Sequence, residues 1–135
     1  MIALTDLEGR WRLDRVITDA RHQKMGHFRG HAEWHPDKAG LRQQETGTLQ
    51  YGAAAPMLAR QTYLWRRMGE TIAVLFRDGQ PFHRLSPDQW QDCHYCAADM
   101  YAVTYDFGEW PVWTQSWRVT GPHKNMLIIS TFRRC

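Results

Sequence analysis

The chain has 135 residues, 43% of them hydrophobic and 13% aromatic, enough to bury the core of one domain without covalent staples. Its 17 Lys and Arg against 14 Asp and Glu leave a net charge of +3 with the basic residues scattered, which excludes a nucleic-acid footprint and makes a small molecule the expected partner. No run approaches the roughly twenty apolar residues of a membrane span, Met1 to Asp6 lacks the charged and apolar regions of a signal peptide, and the odd count of 3 cysteines argues against a disulfide framework, so a single cytoplasmic domain over residues 1–135 is expected.

Residues Ile2 to Leu7 suit a short helical turn, which Gly9 stops. Trp11, Leu13, Arg15 and Ile17 then alternate with Arg12, Asp14 and Val16, the period of two of a half-buried strand. In the next run Phe28, Gly30, Ala32 and Trp34 face one way and His27, Arg29, His31, Glu33 and His35 the other, with small inward residues that let a sheet curve tightly. Turn chemistry at Pro36 to Gly40 ends it. Further strands are expected at Leu41–Tyr51, Leu58–Arg67, Thr71–Phe76, Phe82–Leu85, Cys93–Phe107, Trp113–Thr120 and Met126–Arg134, and Asp78-Gly79 carries a strong hairpin signal. About nine short strands with almost no helical periodicity predict an all-β, antiparallel up-and-down barrel or a sandwich, and closure into a barrel would remove exposed sheet edges. With 7 tryptophans, several on inward registers, the interior is expected to be ring-lined and its cavity modest, too small for a long acyl chain.

Polar groups on those inward registers are the candidate site. Arg15 follows Trp11 and Leu13, and Glu45 shares a face with Gln43, Gly47 and Leu49; the arginine either holds an anionic group of a ligand or pairs with Glu45. In Cys93–Phe107, His94 and Cys96 share one register and Asp99 and Tyr101 the other, so the four line one wall only if a bulge intervenes near Ala97-Ala98. Imidazole, carboxylate and phenol together suit proton transfer, with His94, Asp99 and Tyr101 as catalytic candidates, or the holding of a polar ligand, or simply mutual satisfaction of buried groups. Tyr63, Trp65 and Trp117 are placed to stack on a planar ligand, or to fill the barrel. Cys93-x-x-Cys96 with His94 between raises zinc, yet Cys93 and His94 face opposite sides and His83 or His123 would have to complete the set; two ordinary thiols are the simpler reading, and no cofactor is required. His27, His31 and His35 share the outer face and read as solvated, as does Lys124 in the Gly121-Pro122 turn. The mixed charge of the outer faces favours a monomer or a homodimer.

Gly9-x-Trp11 on the first strand resembles the lipocalin, or wider calycin, signature. More specifically, Phe76-x-Asp78-Gly79-x-Pro81-Phe82-His83, His94-x-Cys96-x-x-Asp99-x-Tyr101, Trp117-x-Val119-x-Gly121-Pro122-x-Lys124 and Phe132-x-Arg134 resemble a calycin-like bacterial family known only as domain of unknown function 6314. The resemblance implies a lipocalin-like barrel in which Trp11 closes one end and a last-strand arginine packs across it; Arg134, which shares a register with Met126, Ile128, Ser130 and Phe132, is the expected partner. It also admits haem, which some calycin barrels hold through one histidine, with His94 or His83 as the residue. No activity comes with it, so a ligand-binding barrel and a small isomerase, lyase or cyclase on the same scaffold stay open, as does an interaction module with a solid interior.

Overall fold

A computed structural model describes residues 2–135; Met1, the first residue of the segment read for a leader, lies outside the described residues. A 3-10 turn at Leu4–Leu7 precedes ten strands: β1 Gly9–Asp19, β2 Lys24–Asp37, β3 Gly40–Tyr51, β4 Met57–Met68, β5 Thr71–Phe76, β6 Pro81–Leu85, β7 Gln91–Cys96, β8 Asp99–Asp106, β9 Trp113–Gly121 and β10 Lys124–Arg134. All ten form one antiparallel sheet in the order β6-β5-β4-β3-β2-β1-β10-β9-β8-β7. Pairing of β1 with β10 therefore joins the chain's two halves, and the meander curls until β6 and β7 meet. Among the described residues no backbone ladder crosses that last seam; the Asp92 carboxylate accepts from the Arg84 N–H at 2.6 Å instead. The barrel is thus nearly closed, and no helix among the described residues is long and apolar enough to cross a membrane.

The strand count exceeds the expected nine because Cys93–Phe107 is a hairpin, not one bulged strand. Ala97-Ala98 turns the chain between β7 and β8, with Ala97 at φ 56°. A two-residue hairpin turn needs positive φ, normally supplied by Gly, Asn or Asp, so an alanine there leaves no sequence signal. The hairpin also removes the register problem. His94 pairs with Tyr101 and Cys96 with Asp99 across the ladder, which puts all four on one face without a bulge.

One end of the barrel is filled solid. Trp11, Trp34, Trp65 and Trp113 are each at most 1% exposed, and Trp113 stacks on Phe132 at 3.9 Å between centroids. The Trp11 Nε1–H donates to the Leu7 carbonyl at 2.9 Å, which ties the 3-10 turn over this floor. The Arg134 guanidinium lies 3.9 Å from the centre of the Trp11 ring and donates to the carbonyls of Glu8 and Asp6. Gly9 makes this possible twice over: its φ of 118° is open only to glycine, and a Cβ there would stand 2.9 Å from Arg134 Nη1.

Curvature comes from β2 and β3, where Gly30 faces Gly47 across the ladder. A Cβ on Gly30 would meet the Thr46 carbonyl oxygen at 2.0 Å, and one on Gly47 the Arg29 carbonyl at 2.4 Å, so both obstacles are backbone that cannot swing aside. We expect Gly30→Ala to destabilise the protein by about 1–3 kcal/mol, the usual cost of overpacking, measured as a lower urea midpoint at unchanged slope; a midpoint equal to the parent's would show that the sheet does not need this close approach.

Candidate functional site

Beyond the aromatic floor the lumen holds a cavity of about 310 Å³, at the small end of the roughly 300–1,000 Å³ typical of ligand pockets. Its walls are mainly rings and aliphatic chains, including Phe28, Phe82, Trp117, Ile128 and Leu49. Phe82 and Trp117 stack with centroids 4.8 Å apart and planes only 6° from parallel, and Tyr63 also stacks on Phe82, at 5.6 Å.

Two polar networks interrupt this apolar wall. In the first, Arg15 on β1 reaches across β2 to Glu45 on β3, with Nη1–Oε1 and Nη2–Oε2 both 3.0 Å, while its Nε–H donates to Ser130 Oγ on β10 at 2.7 Å. Gln43 adds an Nε2–H to Glu45 Oε2 at 2.9 Å and accepts the Trp65 indole N–H at 2.7 Å. Burial works against the Arg15 charge, but the facing Glu45 carboxylate more than offsets it and the guanidinium pKa is raised. The same pair acts on Tyr63: burial first, then the Glu45 charge, raises its phenol pKa, so the O–H stays protonated.

The second network joins β6, β8 and β9. Gln115 Nε2 donates to Tyr105 Oη at 2.8 Å, and that hydroxyl lies 2.9 Å from His83 Nε2. A phenol has one proton to give. If it goes to His83 Nε2, both the phenol and Nε2 are satisfied and His83 Nδ1–H alone of the ring and phenol groups is stranded; if His83 donates instead, both the phenol proton and Nδ1 are stranded. The first arrangement leaves fewer orphans, and Nδ1 is indeed buried without a partner. Burial pushes the His83 pKa down from 6.5 to about 3, with His94 lowering it further and Asp92 opposing.

Of the residues singled out from sequence, Arg15, Glu45, Tyr63, Tyr101 and Trp117 line the cavity. Trp65 faces inward but sits one level lower, in the floor, with its N–H taken by Gln43. His94 is half-buried and packs edge-on against Phe82 at 5.4 Å and Phe76 at 5.7 Å. Asp99 lies at the rim, held by Lys124 Nζ at 3.1 Å, and Cys96 opposite it is exposed. Lys124 also donates to Tyr101 Oη at 3.0 Å, and Gly121 leaves the space Asp99 occupies, since a Cβ there would stand 2.0 Å from Asp99 Oδ1. The hairpin thus brings His94, Asp99 and Tyr101 to one face, but among the described residues no hydrogen bond joins His94 to Asp99, and of the three only Tyr101 lines the cavity. Cys93 and Cys96, three apart on β7, are both exposed and project to opposite faces. Among the described residues no cluster of three His, Cys, Asp or Glu side chains is placed to hold a metal. Sequence reasoning missed the roles of Gln43, Ser130, Tyr105 and Gln115, and considered His83 only as a metal or haem ligand; their inward registers were the available signal.

The chain belongs to a family of unknown function, DUF6314, whose profile matches residues 7–134. Among solved structures it is similar to a protein of unknown function from the DUF3598 family of Nostoc punctiforme PCC 73102, with 13% identity and a TM-score of 0.58 over 100% of this chain and 50% of that one. This chain spans half the length of that protein, and the likeness concerns the fold alone. A de novo designed fluorescence-activating β-barrel matches at 14% identity and a TM-score of 0.42, covering 100% of both chains. No curated protein matches significantly.

The His83 shift sets a pH dependence. Its folded pKa lies below the unfolded one, so below pH 6.5 the unfolded chain takes up a proton the folded chain refuses, and stability falls as pH drops from 6.5 toward 3. Between pH 7 and 5 the parent should lose about 2 kcal/mol more than His83→Gln, which keeps an acceptor for Tyr105 but does not titrate. Urea unfolding at both pH values measures this; equal losses would mean that His83 is not held neutral.

Proposed function

We propose that this protein binds a small, flat, uncharged and partly polar molecule in the barrel cavity. The observation that carries the reading is the Arg15–Glu45 pair, bidentate and self-neutralising in an aromatic-walled pocket of about 310 Å³. An anionic ligand at Arg15 would set a second negative charge beside Glu45, a carboxylate only 4% exposed, with one guanidinium to serve both, which costs several kcal/mol in such a setting. Of the other cations, Lys124 at the rim is likewise engaged by Asp99, and Arg60 on the cavity lining is exposed, where water screens its charge. A flat molecule suits the ring-lined walls and the small volume; a long acyl chain does not.

The catalytic reading on His94, Asp99 and Tyr101 has less support, because a general acid–base pair needs its members within hydrogen-bond reach of one reacting site. Asp99 is turned to Lys124 at the rim, and His94 is packed between rings at the β6 edge.

Native mass spectrometry of freshly purified protein tests the proposal. The expected result is a low-mass neutral adduct released on denaturation, with affinity lowered roughly five- to tenfold by Trp117→Leu, the loss of one ring's stacking and area. An anionic adduct that disappears in Arg15→Met would overturn it.

A further inference from the structure

Resting on that reading, the unpaired hydrogen-bonding capacity of the cavity specifies the ligand's polar end. A guanidinium has five N–H donors; three of Arg15's are engaged by Glu45 and Ser130, and the other two, on Nη1 and Nη2, have no protein acceptor among the described residues. The Tyr63 hydroxyl accepts from Gln61 Nε2 at 3.2 Å, and its own proton likewise has no acceptor among them. Tyr63 lies opposite Gln43 on the β3–β4 ladder, and Gln43 donates to the same Glu45 that Arg15 grips, so these donors belong to one patch of wall. The acceptors of that patch are by contrast occupied: Glu45 receives three N–H groups and Gln43 Oε1 receives the Trp65 indole. On the other side of the count, among the described residues, stand the side-chain carbonyl oxygens of Gln115 and of Gln61.

We infer that the ligand presents a hydrogen-bond acceptor to Arg15 and Tyr63, and that its class is a flat, uncharged aromatic or conjugated carbonyl compound. A carbonyl oxygen has two lone pairs and carries no hydrogen, so it accepts from one free guanidinium N–H and from the phenol together without displacing Glu45. Its ring system then lies among Phe28, Phe82 and Trp117. A ligand whose polar group is chiefly a donor, such as an amine, would find the guanidinium and the phenol already offering hydrogens.

The test uses two probes of nearly identical shape, fluorenone and fluorene, which differ in having C=O or CH2 at one position. Quenching of tryptophan fluorescence in the whole protein gives both dissociation constants. Fluorenone is expected to bind at least about tenfold tighter than fluorene. Tyr63→Phe, checked for folding by circular dichroism, is expected to reduce that preference about fivefold. Equal affinities for the two probes would overturn the acceptor assignment and leave the binding cavity standing. A preference undiminished in Tyr63→Phe would overturn the assigned donor. If neither probe binds, the binding reading falls, and this inference with it.

Discussion

A barrel with this many indoles has the means to fill itself completely, and the buried Arg15–Glu45 pair is what prevents it. Taking two charges out of water is offset only if their geometry is good and their remaining valences are met, and here β1, β2, β3 and β10 must hold one register for Arg15, Glu45 and Ser130 to meet at 2.7–3.0 Å. Sliding β3 by a single residue would turn Glu45 to solvent and bring Gln44 or Thr46 inward, stranding a guanidinium in an aromatic lumen. The pair therefore selects register as well as polarity. It also sets a level in the barrel below which rings pack solid and above which space remains.

Below that level, stability and closure are the same problem. The floor is made from residues far apart in sequence, with Trp11 from β1, Trp34 from β2, Trp65 from β4, Trp113 from β9 and Phe132 from β10 meeting edge to face or stacked. Arg134 then covers the Trp11 face and satisfies the carbonyls of Asp6 in the 3-10 turn and of Glu8 just after it. Its contribution is a cation over an indole with its hydrogen bonds met, on the order of a kcal/mol, but its position also fastens the end of β10 to the start of β1 and so reinforces the pairing that unites the two halves of the sheet.

Much of this was legible because strand alternation depends only on backbone geometry. The run Trp11, Leu13, Arg15, Ile17 places Arg15 in the lumen, and the run through Gln43 and Glu45 does the same for its partner. Alternation fixes a side, however, and not a height. Tyr63 and Trp65 share a face, but two residues advance a strand by about 6–7 Å, which carries Trp65 into the floor and leaves Tyr63 in the cavity. Height depends on strand stagger around the barrel, a sum of registers that no single segment encodes. The same limit hid the His83–Tyr105–Gln115 chain, whose members come from three strands, and left Asp99 and Cys96 at the rim when their register alone suggested a wall. The hairpin at Ala97 was hidden for a different reason, since it uses a backbone conformation its residue does not advertise.

The seam between β6 and β7 explains why the side of the barrel nearest the mouth carries so many of the motif residues. An unpaired edge exposes backbone donors and acceptors that invite another strand. Here Pro81 removes one donor from β6, the Asp92 carboxylate takes the N–H of Arg84, and ring contacts replace the missing ladder, with His94 on β7 set edge-on to Phe82 on β6. Phe82 in turn stacks on Trp117, and Tyr101, 6.4 Å from that indole, takes the Lys124 hydrogen bond at the rim. Phe76, Phe82, His94, Tyr101, Trp117 and Lys124 thus form one continuous layer from the seam to the mouth. Side-chain packing is more readily parted than a ladder of backbone hydrogen bonds, because it can reopen without stranding polar groups in the sheet. The wall that stacks against the cavity is therefore also the wall least fixed by backbone pairing.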